Sequence, residues 1–176
     1  MTAHHVVIVP QAPIFFAQMN SSNTTEGGYA GSAMYKNVIP ACATGIVNAF
    51  GASHILTFRD AITNSVDTSH APSGIPQYIG TSNWFGAWVS VQCNLMSEKM
   101  VYGAPICAAG AMDNTMATRQ MSAFRLSEKL INYNRNHWWL RDVVSSAYFA
   151  YVYGGGGAGA GVASGVGGVR PFALLH

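Results

Sequence analysis

Glycines, histidines, acids, cysteines and serines are where this chain could do chemistry. The run Gly154-Gly155-Gly156-Gly157-Ala158-Gly159 formally fits GxGxxG. A dinucleotide loop of that form opens a helix whose N-terminus faces a pyrophosphate, with an acid about 20 residues further on. Here no acid follows Gly159, the remaining residues read as strand, and GK[ST] is absent. Nucleotide binding is therefore not expected. The histidines (His4, His5, His54, His70, His137 and His176) form neither HxH nor HxxxH, and the acids are scattered. Calcium wants several oxygen ligands in one loop, and only Asp113-Asn114-Thr115 comes close. No GxSxG elbow exposes a serine, and nothing local brings Cys107 to His137. The chain reads as non-enzymatic, with no catalytic residue, metal or cofactor. Cys42, Cys93 and Cys107 are odd in number and lack CxxC spacing, which favours free buried thiols over a disulfide framework.

Two arginines and a set of aromatics carry more. Arg141 and Arg170 each sit in an apolar, strand-like segment. A guanidinium there needs a carbonyl or anionic partner, so each is expected to bond backbone or an acid such as Asp142. Between them lie His137, Trp138, Trp139, Tyr148, Phe149, Tyr151 and Tyr153, then a tract of small residues. Alternate residues of a strand face opposite sides. If Trp139 and Phe149 point into a core, Trp138, Tyr148 and Tyr153 face out. With His137 and the small residues Gly154, Gly157, Gly159, Ala160, Gly161, Val162, Val166 and Gly167, they would form a contact surface. Tyrosine among small residues is the composition of binding loops, where the ring supplies contact area cheaply.

The elements that must position these residues read as follows. Residues 6–9 form a strand closed by Pro10, and 18–31 form a loop. Ser32 caps a helix through Phe50, kinked at Pro40 and ended by Gly51. Residues 54–66 are extended and 67–83 form a long loop. Residues 84–95 alternate as a strand. Ser97 starts a short helix through Val101, stopped by Gly103 and Pro105, and 116–131 are a second helical stretch. Residues 137–144, 148–153, 159–164 and 169–175 are short strands joined by glycine turns, an antiparallel β-meander. A strand and helix followed by a sheet argue α+β in one domain spanning residues 1–176.

The chain is 49% hydrophobic and only 9% charged, against about 25% charged in an ordinary soluble domain. Either Ser, Thr, Asn and Gly cover a neutral surface, or much of the surface is buried against copies of itself or a larger assembly. The net charge of +2, with no basic run, gives no footprint for nucleic acid. No run of about 18 apolar residues would span a membrane, and the N-terminus is a poor secretion signal.

The pattern Trp139-Leu140-Arg141-Asp142-Val143-Val144-Ser145, then Phe149-Ala150-Tyr151-Val152, then Gly168-Val169-Arg170-Pro171-Phe172 resembles the variable proteins of diversity-generating retroelements in phages and prophages of gut bacteria. Upstream, Thr25-Glu26-Gly27-Gly28-Tyr29, Gly31-Ser32-Ala33-Met34, Asn94-Leu95-Met96-Ser97-Glu98 and Phe124-Arg125-Leu126 fit as well, so the resemblance covers most of the chain. It implies a C-type lectin-like fold of the formylglycine-generating-enzyme type, with a variable region at about residues 137–169. It also implies a hypervariable face for a bacterial surface receptor, protein or glycan, on a phage tail fibre or cell surface. Some members are homotrimers, so a homo-oligomer is expected. In that setting Trp139, Arg141, Gly168, Arg170 and Pro171 would hold the sheet. Retroelement mutation of adenines in AAC or AAT codons cannot produce Lys, Glu, Gln, Met or Trp, and none of these follows Trp139. The departures are equally plain. No cysteine follows Cys107, so the copper-binding cysteine pair of the oxidase relatives has no counterpart in the terminal region. The Glu-Pro-Asn and Gln-Pro-Asp triplets of calcium-dependent sugar binders are also missing. A face so rich in glycine and alanine would be shallow, with affinity built by multivalency. The alternatives are a structural virion or surface protein whose small-residue tract packs on neighbouring subunits, and an oxidase of the formylglycine type.

Overall fold

Strand and helix signals resolve into short elements in a computed structural model that describes residues 4–62, 87–108, 120–132 and 136–176. In chain order, β1 (Val6–Ile8) and β2 (Phe15–Gln18) precede α1 (Gly28–Gly31) and α2 (Ile39–Phe50). Next come β3 (Phe58–Ile62), β4 (Ala87–Val91), β5 (Cys93–Leu95), α3 (Glu98–Tyr102) and α4 (Ser122–Leu126). The chain closes with β6 (Trp138–Val143), β7 (Tyr148–Val152), β8 (Ala158–Val162), β9 (Val166–Val169) and β10 (Pro171–Leu175). The described residues form an α+β structure with three sheets, ordered β1-β10-β5, β2-β9-β6-β7-β8 and β3-β4. The long loop expected at 67–83 and the oxygen cluster at 113–115 lie outside the described residues.

The helix expected from Ser32 starts later. Ser32 Oγ does accept from the Tyr35 amide at 3.1 Å, a capping bond. A π-helical turn at Met34–Val38 follows, and regular α-helix begins only at Ile39. Pro40 therefore sits in the first turn of α2, where its missing N–H costs nothing, and it does not kink a helix interior. Gly51 ends α2 with φ of 87°, as its position suggested. Ser97 caps α3 by accepting from the Met100 amide, and Gly103 closes it in the left-handed region.

The terminal strands are not one meander. β6, β7 and β8 pair antiparallel in sequence order. The chain then crosses to the far side of β6, where β9 runs parallel to it and antiparallel to β2. β10 leaves that sheet altogether to pair with β1 and β5. The stretch expected as one strand at 169–175 is thus split at Arg170, and its two halves serve different sheets. The stretch at 84–95 is likewise split at Gln92 between β4 and β5, whose partners differ. Phe15–Gln18, of which only Gln18 was assigned from sequence, as the start of a loop, form the edge strand β2.

β6 is buried along its whole length because both its faces are covered. Trp139 and Val143 join Met19, Tyr29, Met34, Leu95 and Phe149 in one core. Trp138 and Leu140 join Phe124, Val152, Phe172 and Leu174 in another. Between Trp139 and Val143 the register shifts: β6 advances four residues while β7 moves only from Tyr151 to Phe149. Such a bulge re-aims side chains. Here the Arg141 amide donates to the Met96 carbonyl at 3.0 Å, and the Arg141 guanidinium turns onto Asp60 of β3. The expected partner Asp142 has another role: its Oδ2 accepts the Glu98 amide at 2.7 Å. Asp60 also accepts from Asn94 at 2.8 Å, and Asn94 accepts from the Tyr29 hydroxyl at 2.6 Å. Burial holds the Tyr29 phenol well above its usual pKa, so it remains a donor. This chain of polar contacts ties α1, β3, β5 and β6 together.

Removing one partner of a buried ion pair leaves the other charge in a dry site. Asp60→Ala is expected to cost about 3–5 kcal/mol, read as a lower urea midpoint at unchanged slope. A loss under about 1 kcal/mol would show that Arg141 does not depend on the pair.

Candidate ligand-binding surface

The aromatic residues of the terminal sheet divide by strand parity. On β7, Phe149 and Tyr151 share a face, with Tyr153 following in the same phase. Ala150 and Val152 face the second core. Phe149 is fully buried, Tyr151 is half-buried and Tyr153 is 51% exposed. This face thus grades from core to solvent along one strand. His137 and Trp139 of the β6 side complete it. The rings of His137 and Tyr151 lie 4.8 Å apart, those of Tyr151 and Tyr153 4.7 Å, and those of Trp139 and Tyr151 6.0 Å. The last two pairs meet edge to face, the favoured geometry for aromatic quadrupoles.

The small residues exist for these rings. A Cβ on Gly159 would come within 2.5 Å of the Tyr153 ring and 2.9 Å of Tyr151. On Gly161 it would meet Trp139 and Tyr151 at 2.9 Å, and on Gly167 the Trp139 indole at 2.7 Å. The glycines of β8 and β9 leave the space that the rings of β6 and β7 fill. Gly159 and Gly167 are buried beneath them, which corrects the expectation that these two glycines touch a ligand. Trp139 is fixed further by donating its indole N–H to the Ala17 carbonyl at 2.9 Å.

Trp138 was expected to face out and is wholly buried. Its ring stacks on Phe124 at 6.4 Å, the Arg170 guanidinium lies 4.8 Å from its centroid, and its N–H donates to the Ile131 carbonyl. The outward reading assumed that one face of β6 is solvated, whereas α4 and the segment leading into β6 cover it. Arg170 behaves as expected of a structural arginine. It donates to the Pro10 and Leu130 carbonyls at 2.6 Å each, and burial lowers its pKa to about 10. Gly168 and Pro171 are buried beside it. A Cβ on Gly168 would strike the Pro13 ring at 2.5 Å.

Tyr148 is 42% exposed. It lies at the opposite end of β7 from Tyr153 and in the opposite phase of the pleat. The two tyrosines cannot share one patch. Gly157 is exposed, and Gly154 half-buried, in the β7–β8 turn, where the Tyr153 amide donates to the Gly157 carbonyl at 2.7 Å. Ala160, Gly161 and Val162 are half-buried on β8, and Val166 is 58% exposed at the start of β9. The surface that forms is therefore His137, Tyr151 and Tyr153, rimmed by the turn at Gly157. Tyr151 was missed as a contact residue. Its i+2 spacing between Phe149 and Tyr153 was the available signal.

Burial lowers the His137 pKa, against an opposing hydrogen bond to Val166, so the imidazole is neutral near pH 7. Tyr151 is pushed up to about 12, first by burial and then by its hydrogen bond with Tyr153. The patch thus offers flat rings, phenol groups and a neutral imidazole, with no formal charge. Away from it, burial holds the Cys42 and Cys93 thiols protonated, with pKa values of about 11 and about 12. Cys93 donates to the Ile39 carbonyl, and none of the three cysteines is in a disulfide. Among the described residues no group of three His, Cys, Asp or Glu side chains could hold a metal, and no helix is long and apolar enough to cross a membrane. A separate apolar cavity of about 570 Å³ lies between α2 and the β1–β2 connection, lined by residues such as Ile14, Phe15, Ile46 and Phe50.

No protein-family model matches this chain, and no curated protein or solved structure matches it.

Two outcomes test the ring bed. Gly161→Val is expected to displace Tyr151 and Trp139, changing the near-ultraviolet circular dichroism and costing about 1–3 kcal/mol. An unchanged spectrum would show that the rings do not rest there. In an alkaline absorbance titration, one tyrosine should ionise near 12, and Tyr153→Phe should move that midpoint down. Because the folded pKa lies above the unfolded value of about 10, this contact's stabilisation is complete below that pH. It is lost as pH rises through about 12.

Proposed function

We propose that this protein binds a receptor or other macromolecular ligand through the His137–Tyr151–Tyr153 face. In this reading it is a variable protein of a diversity-generating retroelement, with a C-type lectin-like fold, acting as the adhesive tip of a phage tail fibre or related surface adhesin. The observation that carries the reading is the graded aromatic face on a glycine bed. Exposed rings are set on a rigid sheet, where contact residues can change without disturbing the core. The residues assigned to hold the sheet support it: Trp139, Arg141 and Arg170 are all buried with specific partners. Tyr151 and Tyr153 of the face fall between Arg141 and Arg170 in sequence. The absence of Lys, Glu, Gln, Met and Trp after Trp139 fits an adenine-mutated repertoire. An uncharged, shallow patch gives modest affinity per site, so binding gains from display in several copies.

A second reading, a structural virion or surface protein, draws on a different observation. Ile14, Phe15 and Phe50 are exposed and line the apolar cavity beside α2, and Val6, Val7 and Phe16 are also exposed on β1 and β2. Large exposed apolar patches mark contact surfaces, and in this reading the patch packs against neighbouring subunits.

The two readings separate on adsorption to bacterial cells or a receptor array. Tyr153→Ala is expected to lower binding at least tenfold with the circular dichroism spectrum retained. Tyr148→Ala, on the other face, should leave binding within about twofold of wild type, a difference of under about 0.5 kcal/mol. Equal loss in both variants, or none in either, would sink the assigned face. In the neighbouring DNA, a near-copy of the segment encoding residues 137–169, differing at adenines beside a reverse transcriptase, is expected. Its absence would remove the retroelement from the proposal.

A further inference from the structure

β8 is the edge of the five-stranded sheet, paired only with β7 among the described residues. The ladder with β7 runs unbroken through five residue pairs, from Tyr148↔Val162 to Val152↔Ala158. The Tyr153 amide donates to the Gly157 carbonyl at 2.7 Å, and the Ala163 amide to the Ala147 carbonyl at 2.8 Å. The Gly157 carbonyl and the Ala163 amide therefore point toward β7, while the Ala163 carbonyl accepts from the Asn20 amide at 2.9 Å. By the alternation of an antiparallel ladder, Gly159 and Gly161 turn their backbone groups toward β7. Ala158, Ala160 and Val162 aim theirs the other way, at the open edge. Among the described residues, only the Val162 carbonyl has a bond there, accepting from the Gly165 amide at 2.8 Å.

Sheet proteins protect such edges with lysine, proline, bulges or very short strands. β8 has none of these: its sequence is Ala-Gly-Ala-Gly-Val with regular pairing. Two other outer strands, β1 and β2, are better guarded. β1 has three residues and is followed by Pro10, and β2 is preceded by Pro13.

We propose that β8 is a dimerisation edge, where a second copy of the chain adds its own β8 antiparallel and extends the sheet across a two-fold axis. Centred on Ala160, this pairing sets Ala160 against Ala160 and Ala158 against Val162 as hydrogen-bonded pairs, with Gly159 opposite Gly161. Every outward donor and acceptor then meets a partner, and the side chains at the seam are small and uncharged. The pairing is self-complementary, as a two-fold contact requires. A foreign extended peptide fits less well. Strand addition takes its specificity from pockets for alternate side chains, and on one face of β8 the rings of Tyr151 and Tyr153 already fill that space. This inference concerns a backbone edge and stands independently of the ligand-binding reading.

The test is sedimentation mass of the full chain from micromolar to near-millimolar concentration, with Ala160→Pro as the variant. Proline at 160 removes an outward N–H and leaves the β7 ladder intact. Wild type is expected to rise to twice the chain mass, and Ala160→Pro to stay at one, with its circular dichroism spectrum preserved. Ala160→Lys gives the same expectation through charge repulsion, should the proline variant fail to fold. In wild type, the Ala160 amide should exchange hydrogen more slowly as concentration rises. A single-chain mass throughout, a three-chain mass, or a dimer that survives both substitutions would overturn the proposal.

Discussion

The buried pair between Arg141 and Asp60 is the constraint on which the architecture turns. Arg141 is wholly enclosed, and a buried guanidinium without an anion would be too costly to keep. Meeting Asp60 requires β3 to lie over β6, and β6 to break its register with β7 so that Arg141 can turn. Asn94 extends the network to β5, and Tyr29 extends it to α1. One charge placed in the middle of an apolar strand thereby fixes the relative positions of elements drawn from most of the chain.

The second arginine does comparable work by a different chemistry. Arg170 satisfies itself on two backbone carbonyls and the face of Trp138. It sits at the point where the chain leaves one sheet for another. Pro10 and Leu130 belong to segments far away in sequence, so these bonds tie the N-terminal connection and the segment before β6 to the C-terminal strands. With both faces of β6 covered and both arginines anchored, the far end of β7 and its turn reach the surface. The aromatic face forms there. Its rings gain their seats from glycines, whose lack of side chains is a packing requirement and not a sign of flexibility.

The low charge content acquires a physical meaning in this light. Among the described residues five charged side chains are buried: Arg141, Asp60, Glu98, Asp142 and Arg170. Glu98 accepts the amides of Ile106, Cys107 and Ala108, holding the loop after α3 with a buried carboxylate. Few charges remain to guard strand edges and apolar side chains at the surface. The β8 edge and the apolar surface around Phe15 and Phe50 both lack charged side chains.

Much of this was legible in the residues. Gly51 and Gly103 marked helix ends because only glycine takes a positive φ cheaply. Ser97 marked a helix start, alternation marked β6, β7 and β8, and two arginines in apolar strands announced structural partners. What could not be read was which side of a strand is covered, since alternation gives two faces without saying how many are buried. Trp138 was misplaced for that reason, and Tyr148 was grouped with Tyr153 because closeness in sequence hid their opposite phase. The choice of Asp60 over Asp142, the crossing of β9 to the far side of β6 and the transfer of β10 to another sheet depend on long-range pairing that no local pattern encodes. The local elements, their caps and the need for buried partners follow from each residue's own chemistry and are written along the chain. Who the partners are and which rings reach solvent depend on what packs on top, and so arise only when distant segments meet.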